Sequence, residues 1–323
     1  MTMTAALTDN KLPVRLAIVV PCYNEEEVLP ETGRRLVELL DRMQKVCLVT
    51  ADSSICFVDD GSRDQTWEII QAMALADSRV SGIRLSCNRG HQNALLAGLL
   101  TAQGEAIVTV DADLQDDINV IEEMVQRFQQ GSEIVYGVRK SRATDTTFKR
   151  CSANSYYRLL GWLGARIVPG HADFRLMGRR AIEALRDYSE VNLFLRGIVP
   201  QLGLATSTVY YDRVERFAGT TKYPLGKMLA LAIDGITSFS VTPLRLISAL
   251  GFTICLMSLA MVVWIMYGHF VLHSTIPGWA SSVIPVYFLG GIQMLGIGIV
   301  GEYIAKIYLE TKRRPRYVIE RIV

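Results

Sequence analysis

Short apolar runs recur through the first 140 positions, each closed by proline, glycine or a carboxylate. Arg15–Pro21 (RLAIVVP), Ser54–Val58, Val80–Leu85, Ile107–Val110 and Glu133–Val138 are such runs, and apolar or β-branched stretches of this length between turn residues predict buried strands. The intervening segments have helical spacing: Glu25–Lys45, a segment carrying Trp67, Ile69 and Ile70, Asn93–Ala102 and Ile118–Gln130. Strands alternating with helices over short connections predict a mostly parallel α/β sheet. Glu25, Glu26 and Glu27 are placed in the first turn of their helix, where the dipole favours acids. Asp64 is a candidate cap for the next helix, and His91 is expected to be a cap or structural contact.

From Tyr136 the sheet pattern fades. Phe148–Val168 reads as a helix with Tyr156, Tyr157, Leu160 and Leu163 on an apolar side, and Asp173 follows Gly170 just past a turn. Leu225–Val241 carries Leu225, Met228, Leu229, Ala232, Ile233, Ile236 and Phe239 at helical spacing, which predicts an amphipathic helix in a bilayer interface. Then come 56 consecutive residues, Leu246–Gly301, without Asp, Glu, Lys or Arg. About 20 residues cross a bilayer core, so the run predicts a two-helix hairpin with spans near 246–268 and 283–305 and a turn at His273–Ser282. Gly290, Gly291, Gly296, Gly298 and Gly301 are expected to permit close helix approach.

Charge orients that hairpin. Lys222, Lys227 and Arg245 precede the first span, Lys306, Lys312, Arg313, Arg314 and Arg316 follow the second, and the loop has none. The positive-inside rule places both ends in the cytoplasm. From Lys227 onward there are 8 basic and 4 acidic residues, leaving 26 and 28 before it; a body without basic surplus excludes the nucleic-acid-binding class. The six cysteines fall singly, against a zinc site or disulfide framework and in keeping with a reducing compartment. The N-terminus, MTMTAALTDNKLPV, lacks the apolar core of a signal peptide.

The candidate chemistry lies at the strand ends. Asp111-Ala112-Asp113 closes the fourth run, and in open α/β sheets ligands bind outside the carboxyl ends of the strands. Two adjacent acids repel each other unless a cation lies between them, and hard oxygen donors suit Mg²⁺ or Mn²⁺. Asp-x-Asp alone is short and common, and it serves equally as a helix-capping turn. Asp59 and Asp60 close the second run and Glu25 follows the first, so three strand ends deliver acids. Neither G-x-G-x-x-G after the first strand nor a P-loop is present, which disfavours those nucleotide folds. Further on, Arg216 and Lys222 flank a Gly-Thr-Thr turn with Thr221. That turn is either a phosphate site of cations, hydroxyls and amides or a solvated surface loop.

VVPCYNEEE (Val19–Glu27), VDDGSRDQT (Val58–Thr66) and DADLQD (Asp111–Asp116), in this order, resemble family 2 inverting glycosyltransferases of the GT-A fold. The resemblance implies a Rossmann-like domain whose nucleotide-sugar site includes Pro21, Tyr23, Asn24, Glu25, Asp59, Asp60, Asp111 and Ala112. It implies that Asp111, Asp113 and Gln115 organise Mg²⁺ or Mn²⁺ with the diphosphate, Asp113 being catalytic. A departing nucleoside diphosphate gathers negative charge that a cation offsets. Asp173 matches by position the acid often assigned as general base. A phosphate monoester acceptor, with a second pKa of about 6, needs no base, and Asp173 then orients the sugar or stabilises an oxocarbenium-like centre.

With HADFRLM, RFAGTTKYPL, the two spans and RRPRYVIERIV, the likeness covers nearly the whole chain. It is similar to polyprenyl-phosphate glycosyltransferases, most of all the bacterial bactoprenol glucosyltransferases. That implies glucose transfer from UDP-glucose to undecaprenyl phosphate at the bacterial inner membrane, with Arg139, Arg216, Thr221 and Lys222 on the acceptor phosphate. It further implies a homo-oligomer, and a lipid-linked sugar for O-antigen modification that a separate flippase turns outward. The expected layout is 1–140 for the nucleotide-sugar and metal half, 141–224 for the acceptor half, 225–242 for the interfacial helix and 243–323 for the hairpin and basic tail. UDP-N-acetylglucosamine, UDP-galactose, an aminoarabinose nucleotide and GDP-mannose are alternative donors. Outside this class stand a processive polysaccharide synthase, whose Q-x-x-R-W motif is lacking, and a non-enzymatic membrane scaffold.

Overall fold

Every residue of β1 (Leu16–Cys22) is buried, as a strand covered on both faces must be, and the sheet builds outward from it. The computed structural model describes residues 12–140, 171–190, 193–212, 242–270 and 278–323. β1 runs parallel to β2 (Ser54–Asp59) on one side and to β4 (Ala106–Thr109) on the other, with β3 (Val80–Leu85) parallel beyond β2. Between them come α1 (Leu29–Lys45), α2 (Thr66–Ala76) and α3 (His91–Thr101), and α4 (Val120–Gln129) follows β4. This is the GT-A-like, mostly parallel sheet expected from the alternation.

The sheet continues where the apolar pattern fades. β6 (His171–Gly178) inserts antiparallel between β4 and β5 (Ile134–Arg139), and β7 (Thr206–Tyr211) pairs parallel with β5. At the opposite edge β8 (Ile319–Ile322) lies antiparallel to β3, giving the order β7-β5-β6-β4-β1-β2-β3-β8. Asp173 therefore sits inside a strand, not past a turn. The sequence hides β6 because a central strand ordinarily shows an unbroken apolar run, whereas Asp173 and Arg175, both buried, interrupt this one.

Helix α1 begins at Leu29, later than its spacing predicts. The Glu25 carbonyl accepts the N–H groups of Val28 and Leu29, so Glu25–Glu27 form a turn ahead of the helix. Pro30 occupies the first helical turn, where a missing N–H leaves nothing unpaired. Asp64 does act at the start of α2: its Oδ1 accepts the Thr66 N–H at 3.1 Å and its Oδ2 the Glu26 N–H at 3.3 Å.

Helix α3 lies directly on β1 and β2. A methyl group built on Gly98 would stand 2.3 Å from Val19 Cγ1 and 2.9 Å from Val58 Cγ2. Overpacking of this kind costs about 1–3 kcal/mol, so Gly98→Ala is expected to lower the thermal midpoint of the full chain in detergent. An unchanged midpoint would mean that α3 can lift off the sheet without loss.

The described residues fall into two compact units, the sheet with its flanking helices and residues 315–323 in one, two long helices in the other. The long helices are α7 (Thr242–Phe270, 29 residues) and α8 (Trp279–Lys312, 34 residues); two shorter ones, α5 (Arg179–Arg186) and α6 (Leu195–Ile198), belong to the sheet unit. Trp279–Ser282, expected in a turn, form the start of α8. Ile292–Lys312 is long and apolar enough to cross a membrane by length and composition. At Gly296 a built methyl would meet Ile247 Cγ2 at 3.4 Å, while at Gly290, Gly298 and Gly301 it would meet nothing within 4 Å. Of these four glycines only Gly296 therefore marks an approach of α8 to α7. The expected helices at 148–168 and 225–241 lie outside the described residues.

Candidate active site

Two loops at the carboxyl ends of β1 and β2 are stitched together by side chains. Asn24 takes a left-handed backbone, φ 54°, which asparagine tolerates; its N–H donates to Ser62 Oγ at 2.9 Å and its Oδ1 accepts the Arg63 N–H at 2.9 Å. The Glu25 N–H reaches Thr66 Oγ1 at 2.9 Å. Asn24, Glu25, Arg63 and Asp64 line a cleft of about 390 Å³, and Tyr23 beside them is 42% exposed. Pro21 lies within β1, paired with Val58 of β2.

Asp59 ends β2 wholly buried, its Oδ1 accepting the Ser62 N–H at 2.9 Å. Asp60 is buried as well; its two oxygens accept the N–H groups of Arg89 at 2.7 Å and Gly90 at 2.8 Å. Burial raises the pKa of both carboxyls, and these amide donors oppose the rise.

The turn after β4 carries the acid pair. Val110 continues the strand through its N–H to the Val19 carbonyl at 3.1 Å, and Thr32 Oγ1 donates to the Ala112 carbonyl at 2.7 Å. Leu114 is left-handed, φ 55°, a conformation costing a β-carbon-bearing residue roughly 1–2 kcal/mol. The turn thus stores strain beside the carboxylates. Asp113 Oδ1 accepts the Gln115 N–H at 3.2 Å. Gln115 Oε1 and Asp116 Oδ2 are buried without a hydrogen-bond partner among the described residues.

Burial pushes Asp111 up to about 6, with Asp116, Asp173 and Asp113 adding repulsion and His91 opposing it. A cation would relieve that repulsion. Among the described residues no three His, Cys, Asp or Glu side chains form a ready-made metal cage. Two carboxylates and one unpartnered amide oxygen nevertheless fit Mg²⁺, which is typically held by one or two carboxylates with substrate phosphates and water completing the shell.

Asp173 is the hub of a second cluster. Its Oδ1 accepts from Arg175 at 2.7 Å and Arg196 Nε at 3.2 Å; its Oδ2 accepts from the second Arg196 nitrogen at 2.9 Å and Gln92 at 3.2 Å. Thr109 Oγ1 donates to its carbonyl. His91 Nε2 stands 3.5 Å from Asp173 Oδ2 and 3.6 Å from Asp111 Oδ1, linking this cluster to the acid pair. Burial would raise the Asp173 pKa, but His91, Arg175 and Arg196 overcome it and hold the carboxyl well below its ordinary range. Burial disfavours charged His91, yet Asp173 and Asp111 leave its pKa raised.

Arg139 faces inward: one terminal nitrogen donates to Asp116 Oδ1 at 3.1 Å and its Nε to the Tyr211 hydroxyl at 3.3 Å, while Tyr211 donates to the same Asp116 oxygen at 2.5 Å. The Phe174 and Tyr211 rings pack edge to face, centroids 5.4 Å apart. Arg216, Thr221 and Lys222 lie outside the described residues. Sequence reasoning passes over Gln92, Arg175, Arg196, Asp116 and Tyr211 and reads His91 as a cap or structural contact. Asp116 had a signal, its place in DADLQD; Arg196 had none, standing 23 residues from the carboxylate it binds.

The family described as Glycosyl transferase family 2 matches residues 17–186. The glycosyltransferase YkoT of Bacillus subtilis is 52% identical over 311 residues, covering 94% of this chain and 91% of that protein. A prophage bactoprenol glucosyl transferase homolog of Escherichia coli is 38% identical, covering 96% and 99%. The bactoprenol glucosyl transferase of Shigella phage SfII is 37% identical, covering 95% and 98%.

Proposed function

This chain belongs to glycosyl transferase family 2, and we propose that it moves glucose from UDP-glucose to undecaprenyl phosphate at the cytoplasmic face of a bacterial inner membrane. The observation that carries the reading is the extent of the likeness: relatives named for bactoprenol glucosyl transfer match through the sheet and the long helices alike. In this reading Asp59 and Asp60 together help hold the base and ribose, Asp59 by fixing the Ser62 turn and Asp60 the loop at Arg89 and Gly90. Asp111, Asp113 and Gln115 hold Mg²⁺ or Mn²⁺, which when bound offsets the charge gathering on the departing diphosphate. Arg139 and Tyr211 brace Asp116 and with it the turn that bears those ligands.

A general base has no task here, because the acceptor phosphate, with a second pKa of about 6, is already largely a dianion at neutral pH. Asp173 is also a poor base, since both oxygens are engaged and the group is held ionised. Its role is to fix Arg196 and to hold His91 next to Asp111. Arg216, Thr221 and Lys222 take the acceptor phosphate.

Phe252, Met257, Trp264, Tyr267, Met294 and Ile304 present exposed apolar side chains on α7 and α8. Together with the uncharged run and its basic flanks, they support a hairpin of two spans with both ends cytoplasmic, preceded by the interfacial helix at 225–242.

Membranes containing the chain, undecaprenyl phosphate and Mn²⁺ would be given radiolabelled UDP-glucose, UDP-N-acetylglucosamine, UDP-galactose or GDP-mannose in turn. Label from UDP-glucose in the organic extract is the expected result. Label from another donor alone would replace glucose and keep the reaction, whereas no lipid label from any donor would overturn the reading.

A further inference from the structure

Arg84, on β3, has no role in the reading above, yet its guanidinium joins three elements. Its Nε lies 3.5 Å from Asp59 Oδ2 at the end of β2 and 3.8 Å from Glu320 Oε2 on β8. Its Cζ stands 5.7 Å from the centroid of the Trp67 ring on α2, a distance at which a cation is attracted to the ring face. The Arg84 side chain is 26% exposed and that of Asp59 not at all.

The C-terminal strand is what brings Glu320 there. Gly82 and Val323 exchange both backbone hydrogen bonds at 2.9 Å, and the Ser86 N–H reaches the Val318 carbonyl at 2.9 Å. A methyl group at position 82 would strike Ile70 Cγ2 at 2.4 Å and Val323 Cγ2 at 3.0 Å. Glycine at that position leaves room for Ile70 of α2 and for Val323 beside β3.

The contact between Arg84 and Asp59 is not a closed pair. Asp59 Oδ2 and Arg84 Nε are both buried, and neither has a hydrogen-bond partner among the described residues. A buried carboxylate oxygen without a donor is costly and calls for explanation. Here one oxygen is anchored by Ser62 while the other faces a cation at a distance too long for a hydrogen bond. That arrangement steadies the carboxylate, and through Ser62, whose Oγ accepts the Asn24 N–H at 2.9 Å, the loop that lines the cleft.

We propose that Arg84, seated on Trp67 and backed by Glu320 of the C-terminal strand, is a positioning residue for Asp59 in nucleotide binding. The inference rests on the assignment of Asp59 to the nucleotide made above. Its consequence is that residues following the long helices serve the nucleotide site and not only the edge of the sheet. A partly exposed ion pair at 3.8 Å adds little to stability, so the effect of Glu320 is expected in binding and not in melting.

The test uses the full-length protein in detergent, titrated with UDP in the presence of Mn²⁺, with steady-state kinetics in UDP-glucose and in undecaprenyl phosphate. Arg84→Gln is expected to raise the Kd for UDP and the KM for UDP-glucose roughly tenfold, equivalent to about 1.4 kcal/mol, leaving the KM for undecaprenyl phosphate unchanged. Arg84→Lys keeps the charge without the planar fork and recovers part of the loss. Glu320→Gln, at a side chain 41% exposed where folding is not at risk, raises the same two constants about two- to threefold, as an exposed pair should. An unchanged UDP affinity in Arg84→Gln, or an equal rise in both substrates' KM, would overturn the proposal. Wild-type affinity in Glu320→Gln would overturn the part given to the C-terminal strand. Unaltered protein that binds no UDP with Mn²⁺ would instead overturn the nucleotide reading of Asp59.

Discussion

Asp113→Asn is expected to lower sugar transfer by about a hundredfold or more at saturating substrate, the range seen when a group stabilising transition-state charge is lost. The substitution keeps an oxygen able to accept the Gln115 N–H, now made at 3.2 Å, so the turn and its left-handed Leu114 stay as they are. What goes is one of the two negative charges proposed to face the cation. The Mn²⁺ concentration needed for UDP binding should rise, and excess metal should recover part of the activity, while the thermal midpoint without ligand stays put. Near-normal transfer at limiting metal would contradict the assignment, and so would chelator-resistant transfer by the unaltered protein.

Asp173→Asn is expected to remove both activity and a large share of the stability. Arg175 is 1% exposed and has Asp173 as its ion-pair partner at 2.7 Å, so the change leaves a buried guanidinium beside a neutral amide. Removing one member of a buried pair costs about 3–5 kcal/mol, read as a lower thermal midpoint. The double variant Asp173→Asn with Arg175→Met removes the stranded charge and should restore most of the midpoint without restoring transfer. The pH dependence has a fixed sign. The carboxyl lies well below its ordinary value of 3.8 in the folded chain, so its contribution to stability is complete above that value and is lost as pH falls below it.

The parallel half of the sheet was legible because β1, β2, β3 and β4 are short apolar runs, and the acids that end three of them are what a strand-end ligand site needs. β6 was not legible because burial there is shared by a charged pair, and pattern reasoning places charge outside. β8 was missed for another reason: it is four residues long and mostly exposed, so its evidence lies in pairing with a strand more than two hundred positions earlier. The same distance hid the partners of Asp173. Gln92 is 81 residues away from it, and no local rule relates the two. The resemblance implies Arg139 as a phosphate contact; its partners Asp116 and Tyr211, 23 and 72 residues distant, are marked by no local rule. Residues 216–222, legible in the sequence as a cationic Gly-Thr-Thr turn, lie outside the described residues, and their proposed acceptor role is tested by direct assay.

That assay is also the most direct test of the central claim. Purified full-length protein would be incubated with UDP-glucose, undecaprenyl phosphate and Mn²⁺, and the lipid extract analysed by mass spectrometry. The account predicts undecaprenyl phosphate carrying one hexosyl unit, formed in step with released UDP and absent with Asp113→Asn. Release of UDP together with free glucose, the lipid remaining unmodified, would contradict it.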